Sequence, residues 1–143
     1  MSLSPAAAQA ILTANFAPWV LDLGLRVDMI RDAEVCLRLP FSDRLVRVGG
    51  TICGQALMTA ADTVMVLAIS AVSGGFRPMT TVGQTISFMK PVSGVDALVT
   101  GRVLRLGKTL AFGEIGIRAD GKDDLVAHVT TTYAILGPVP GSN

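Results

Sequence analysis

Only 16% of the residues are charged, there is a single histidine, and the two cysteines stand apart at positions 36 and 53. Each scarcity closes off a class of function. Half of the residues are hydrophobic, which is not the composition of a disordered chain, because disorder requires too little apolar surface to offset the entropy of folding. A net charge of +1, with no basic stripe and no basic run interleaved with aromatics, leaves no footprint for nucleic acid or an anionic membrane surface. A small anionic ligand stays compatible with it. Cys36 and Cys53 have neither metal-ligand nor redox spacing, so both read as reduced thiols and no metal site is expected. Residues 1–10 lack the charged start and apolar run of a signal peptide, and the expected location is the cytoplasm.

At 143 residues the chain suits one domain with a substantial core, spanning 1–143. Its longest apolar run, ICGQALMTAADTVMVLAISAV at 52–72, has membrane-spanning length and one charge, Asp62. Polar interruptions at Gln55, Thr59, Asp62 and Ser70, and the lack of a basic flank, favour a helix enclosed by protein over one enclosed by lipid. Such a helix is apolar around its whole circumference and must be wrapped on most sides. Before it, Ser4 and Pro5 open a helix within residues 1–20 that should end near Pro18. Two short strands follow at 25–30 and 34–39, then a polar loop at 41–50. After it, strands are expected at 80–90, 95–106, 109–118 and 125–136, separated by turns rich in Gly, Pro, Asp and Ser. In the last, Leu125, Ala127, Val129, Thr131, Tyr133 and Ile135 share one face, and His128 lies on the other. Residues 137–143 read as a frayed tail. A strand pair, one long helix and four successive strands is an α+β arrangement in which a curled antiparallel sheet surrounds the helix.

Two features of the long helix carry chemistry. Asp62 is an isolated carboxylate in apolar surroundings, a position that costs several kcal/mol unless the group is paired or raises its pKa. It either fixes the helix through hydrogen bonds or faces a substrate cleft as nucleophile or general base. Gly54 falls at the start of the same helix, where unpaired N–H groups and the positive end of the dipole suit a developing oxyanion. Eight positions of helix separate the two by ~12 Å, too far for one substrate carbonyl to meet both. A two-fold pair with antiparallel central helices would bring one copy's Gly54 to the other's Asp62.

The segment GTICGQALMTAADT at 50–63 resembles the G-x-x-H-G-G helix start, with its downstream D-T pair, of the phenylacetic-acid-type acyl-CoA thioesterases. The segments ISFMKPV at 86–92, GRVLRLGK at 101–108 and LVAHVTTTY at 125–133 resemble later elements of that family, in order. The resemblance implies the hotdog fold and hydrolysis of acyl-CoA without metal or bound cofactor. It also implies a homodimer or a dimer of dimers. Asp62 would attack the carbonyl or activate water. The N–H of Gly54, with Gln55, would hold the oxyanion, and Thr81 matches a position where relatives carry a small hydroxyl residue.

Two departures stand out: Cys53 replaces the motif histidine and Gln55 replaces its second glycine. Cys53 is a substrate-positioning candidate. Read instead as a helix-terminal nucleophile, it lacks a base, since His128 lies on a distant strand. Among the basic residues, Arg77, Lys90, Arg105 and Lys108 are candidates for CoA phosphates, with Lys90 and Lys108 preferred for lying beside turns. The alternatives are a non-catalytic acyl-CoA-binding protein with a structural Asp62, and a hydratase or dehydratase of the same fold.

Overall fold

The computed structural model describes residues 3–141. The first helix, α1, runs Pro5–Asn15, with Pro5 in its first turn and Ser4 as N-cap, its Oγ accepting from Ala7 N at 3.0 Å. It ends earlier than expected, and Pro18 opens a second short helix, α2 (Pro18–Leu21), instead of closing the first. A proline is as suited to a helix's first position as it is unsuited to its interior, so in place of one helix there are two, over 5–15 and 18–21, with a break at Phe16–Ala17.

The strands are β1 (Arg26–Arg31), β2 (Glu34–Leu39), β3 (Met79–Phe88), β4 (Ala97–Leu106), β5 (Leu110–Ala119) and β6 (Leu125–Ile135). They form one sheet in the order β1-β2-β4-β5-β6-β3, with every neighbouring pair antiparallel. The polar segment before the long helix contains a single 3-10 turn, Asp43–Leu45.

The long helix, α3, spans Gly54–Ser73 and stops at Gly74, whose φ of 77° is the left-handed conformation that glycine adopts without penalty. By length and composition it is apolar enough to cross a membrane, yet 67% of its most apolar window is buried within the fold. It packs against β4, β2, β5 and β3. Ala60, Ala61 and Ala68 let its backbone approach the sheet, and a side chain at Gly113 of β5 would strike Met65, its Cβ falling 2.2 Å from Met65 Cε. The alternation read along 125–135 matches the burial from Ala127 on, with Val129, Tyr133 and Ile135 buried and Thr130 exposed. It fails at the start of the strand, where a bulge against β5 leaves Leu125 half-buried and buries Val126.

Arg38 of β2 ties distant segments together, bonding Asp28 (2.8 Å), Asp96 (3.0 Å) and Asp120 (2.8 Å). The chain after β6 is held beyond the point where fraying was expected. Leu136 N donates to Pro78 O at 2.8 Å, and Arg77 Nε to Gly137 O at 2.9 Å. Ser142 and Asn143 lie outside the described residues.

Candidate functional site

Asp62 sits in the third turn of α3, half-buried, on the wall of a 310 Å³ cavity. Met58 from α3, Phe16 from the α1–α2 break, Trp19 and Val20 from α2, and Thr81 and Gln84 from β3 also line it. Thr81 Oγ1 donates to Asp62 Oδ1 at 2.8 Å. The hydroxyl of Tyr133 on β6 donates to the same oxygen and to the backbone carbonyl of Asp62, the latter at 2.6 Å. Thr81 and Tyr133 are cross-strand partners, and the bulge that follows Thr81 turns β3 outward at Val82. Tyr133 is only 2% exposed, and its burial first, then the negative charge of Asp62, push its phenol far above the ordinary tyrosine range. It is therefore a neutral donor throughout the working pH range. Among the described residues Asp62 has no cationic partner, and its Oδ2 accepts no hydrogen bond. One carboxylate oxygen is thus left free, while the other is held by two hydroxyls.

The start of α3 lies in a different cleft, of 420 Å³, lined by Arg47, Thr51, Gly54, Phe88, Met89 and Lys90 among others. Its N-cap, Cys53, makes no side-chain capping bond, so the first N–H groups have no side-chain acceptor there. Phe88 lies flat against Gly54: a Cβ at that position would fall 3.0 Å from Phe88 Cζ. Any larger residue here would push the half-exposed Phe88 ring back by a few tenths of an ångström. Gln55 is exposed in the first turn, with its carbonyl accepting from Thr59 Oγ1 at 2.8 Å.

Of the residues singled out in sequence, Asp62 and Thr81 come together, whereas Gly54 and Gln55 stand at the far end of the helix start, ~12 Å along the axis from Asp62. Cys53 is half-buried and packs against the core. Lys90 lines the Gly54 cleft and pairs with Asp124. Lys108, expected beside the same cleft, is in the β4–β5 turn at the other end of the sheet. Lys90 N bonds Val126 O and Ile135 N bonds Thr109 O, which sets the two lysines ~30 Å apart along β6. Arg77 is committed to the carbonyl of Gly137, and Arg105 is exposed in the bulge opposite Phe112. His128 is on the outer face of the sheet, 3.3 Å from Glu114.

Sequence reasoning missed Tyr133, Gln84, Phe16 and Trp19. One signal pointed to Tyr133: a lone tyrosine on the buried face of a strand must find a partner for its hydroxyl. Gln84 Nε2 donates to Met58 O at 3.2 Å, while its buried Oε1 has no partner among the described residues. Among those residues no three His, Cys, Asp or Glu side chains are grouped to hold a metal ion.

A family model described as the thioesterase superfamily matches residues 49–126, a stretch containing α3, β3, β4 and β5 and opening five residues before Gly54. Human acyl-coenzyme A thioesterase 13 is 32% identical over 80 residues, 55% of this chain and 56% of that one. A protein of solved structure from Silicibacter sp. TM1040 is 30% identical, with a TM-score of 0.84 over 94% of this chain and 92% of that one. The PaaI protein from the phenylacetic acid degradation operon of E. coli superposes over 94% of each chain with a TM-score of 0.80, and at 18% identity it speaks to the fold alone. With its central helix, its six-stranded antiparallel sheet and this match over more than half its length, the chain belongs to the thioesterase superfamily, as a thioester hydrolase of the hotdog fold.

Proposed function

We propose that this hydrolase acts on acyl-CoA, releasing a free acid and CoA, at a site completed by a second copy of the chain. The observation that carries the reading is the placement of the two half-sites along β3. Asp62 is keyed to Thr81, three residues before Gln84, and Gly54 is keyed to Phe88, three residues after Thr85. β3 is an edge strand ten residues long, paired on one side with β6 and unpaired on the other. Antiparallel pairing of two such edges about a two-fold axis between Gln84 and Thr85 sets each Thr81 opposite its partner's Phe88, and so each Asp62 near its partner's Gly54. The exposed apolar side chains of Val82, Phe88 and Met89 lie on the segment this pairing would cover. A dimer, or a dimer of dimers, is the assembly that follows.

In the completed site the acyl carbonyl lies between the two helices. Its oxygen points to the N–H of Gly54, with that of Gln55 in support, where the helix dipole stabilises the negative charge of the tetrahedral intermediate. Asp62 Oδ2 either attacks the carbonyl carbon, expelling the CoA thiolate and leaving an acyl-enzyme anhydride for water to open, or takes a proton from an attacking water. Thr81 holds the carboxylate and helps place that water. Lys90, at the Gly54 cleft, supplies positive charge for the CoA phosphates, while Lys108 would reach a site only from its opposite end. Cys53 is not the nucleophile; half-buried against the core at the N-cap of α3, it acts on the site only through the helix start that it precedes.

The test is subunit complementation. A chain carrying Asp62→Ala is mixed with one carrying Gly54→Pro, which lacks the N–H. Heterodimers then have one site with both groups and one with neither, and recovered turnover is expected from two inactive parents. If both parents are folded and exchange subunits yet no turnover returns, the shared site is wrong. Ligand binding without turnover in wild type would instead mark a binding protein.

A further inference from the structure

We infer that Tyr133, through its hydroxyl, is a positioning residue that aims the Asp62 carboxylate and sets the pH at which it becomes competent. This rests on the catalytic role proposed for Asp62. Thr81 and Tyr133 reach Asp62 from two paired strands, and both place a hydroxyl on Oδ1. The Tyr133 hydroxyl also touches the backbone carbonyl of Asp62 at 2.6 Å, so it bridges the side chain to its own main chain. A carboxylate on a helix has free rotation at χ1 and χ2 unless something holds it, and this bridge holds both ends of that lever. With Oδ1 bound twice, Oδ2 is the oxygen left to face the cavity and react. Tyr133 itself is 2% exposed in the core, and so its hydroxyl is fixed as firmly as the sheet.

The surroundings give this one contact unusual weight. Asp62 is the only charged residue of α3. β3 brings Thr81 and Gln84 to its cavity, the α1–α2 break brings Phe16, and α2 brings Trp19 and Val20, none of which titrates. β6 brings Tyr133, the one titratable neighbour among the described residues of the same chain. In the dimer proposed above, the partner's Arg47 and the partner's Lys90, which line the Gly54 cleft, are the charged groups on the facing side. A donor to the ionised form favours that form, so the strength of the phenol as a donor should tune the acid limb of the rate profile directly.

The chain contains a single tyrosine, which makes the experiment clean. Growth on 3-fluorotyrosine labels position 133 alone with a more acidic phenol, a stronger donor of nearly the same shape, whereas Tyr133→Phe removes the donor and keeps the ring. Expected for Tyr133→Phe are a kcat lower by roughly tenfold, a KM within about threefold, and an acid limb of kcat/KM moved upward by about one pH unit. The fluorinated protein should move that limb downward. Its 19F resonance, measured without substrate, should titrate in wild type and lose that titration in Asp62→Asn.

Opposite displacements of the acid limb establish the positioning role. A limb unmoved by both changes, with kcat within twofold of wild type, overturns it, and so does a 19F signal indifferent to Asp62→Asn. Should Tyr133→Phe fail to fold, the fluorinated protein decides alone, since it perturbs acidity and not packing. Failure of the underlying reading looks different: Asp62→Asn would then keep its turnover, whatever the fluorine reports.

Discussion

At Arg38 one guanidinium serves three carboxylates, whereas at Asp62 one carboxylate has two hydroxyls and, among the described residues, no cation. Both clusters join segments far apart in sequence, and both are partly shielded from water. In the first, the backbone N–H of Phe41 and then the Arg38 guanidinium hold Asp96 below the ordinary carboxylate range, and the carboxylates in turn hold Arg38 above the ordinary arginine range. There the carboxylates are tied to a shared cation, which fastens the segments that carry them. In the second, neutral donors orient an anion without cancelling it. The same side chain is thus a fastener in one place and a poised reagent in the other, and the difference lies in what faces it.

The contrast breaks most visibly at Asp62. Asp62→Ala should lower kcat/KM for any accepted acyl-CoA by at least about a hundredfold, the loss associated with a general base or nucleophile, while the melting curve stays cooperative and close to wild type. Retained turnover would erase the distinction. The reverse pattern is expected at Arg38, whose side chain is 18% exposed. Arg38→Met leaves Asp28, Asp96 and Asp120 facing one another, and should cost about 1–2 kcal/mol in urea unfolding, a value held down by solvent screening of the carboxylates. Turnover per folded molecule should stay within about twofold. A fall in turnover with unchanged stability would show the Arg38 cluster reaching the site.

The two clusters also differ in how far they could be read from sequence. The boundaries of α3 and β2 were legible because an apolar run and a period-2 alternation are local signals, and the glycine stop at Gly74 is local as well. Asp62 and Gly54 were legible as candidates because one is a lone charge and the other a helix-start glycine. Their supporting contacts were not. Tyr133 meets Asp62 across 71 positions and Arg38 meets Asp120 across 82, distances over which only the strand order, β1-β2-β4-β5-β6-β3, decides who is adjacent. The break between α1 and α2 was misread for a related reason. Pro18 marks an end or a beginning equally well, and here it stands at the first position of α2.

A smaller effect sharpens the Arg38 side of the contrast through pH. The pKa of Asp96 is lower in the folded chain than in the unfolded one, so its contribution to stability is fully present above the ordinary aspartate value near 4 and is lost as pH falls through the depressed folded value. Asp96→Asn should therefore be less stable than wild type at neutral pH, and the gap should close as the pH drops below about 4. Unfolding curves at pH 7 and pH 3 would measure it. A gap that widens toward acid would mean the carboxylate is not held by Phe41 and Arg38 as described.

The smallest effect is expected at Cys53, where the two explanations of reactivity compete. A thiol at a helix N-terminus invites a nucleophilic reading, because the dipole favours thiolate. A cysteine nucleophile nevertheless needs a base within hydrogen-bond reach, and the one histidine in the chain is on the other face of the sheet, beside Glu114. The Cys53 side chain packs against the core and lines neither the Asp62 cavity nor the Gly54 cleft. What the helix start contributes is its N–H groups, and Cys53→Ala leaves them in place. That variant should keep kcat within about threefold of wild type and cost under about 1 kcal/mol of stability, the loss of one half-buried sulfur. Loss of turnover in a folded Cys53→Ala protein would move the nucleophile from carboxylate to thiol, and Asp62 would then belong with the carboxylates around Arg38 as a fastener.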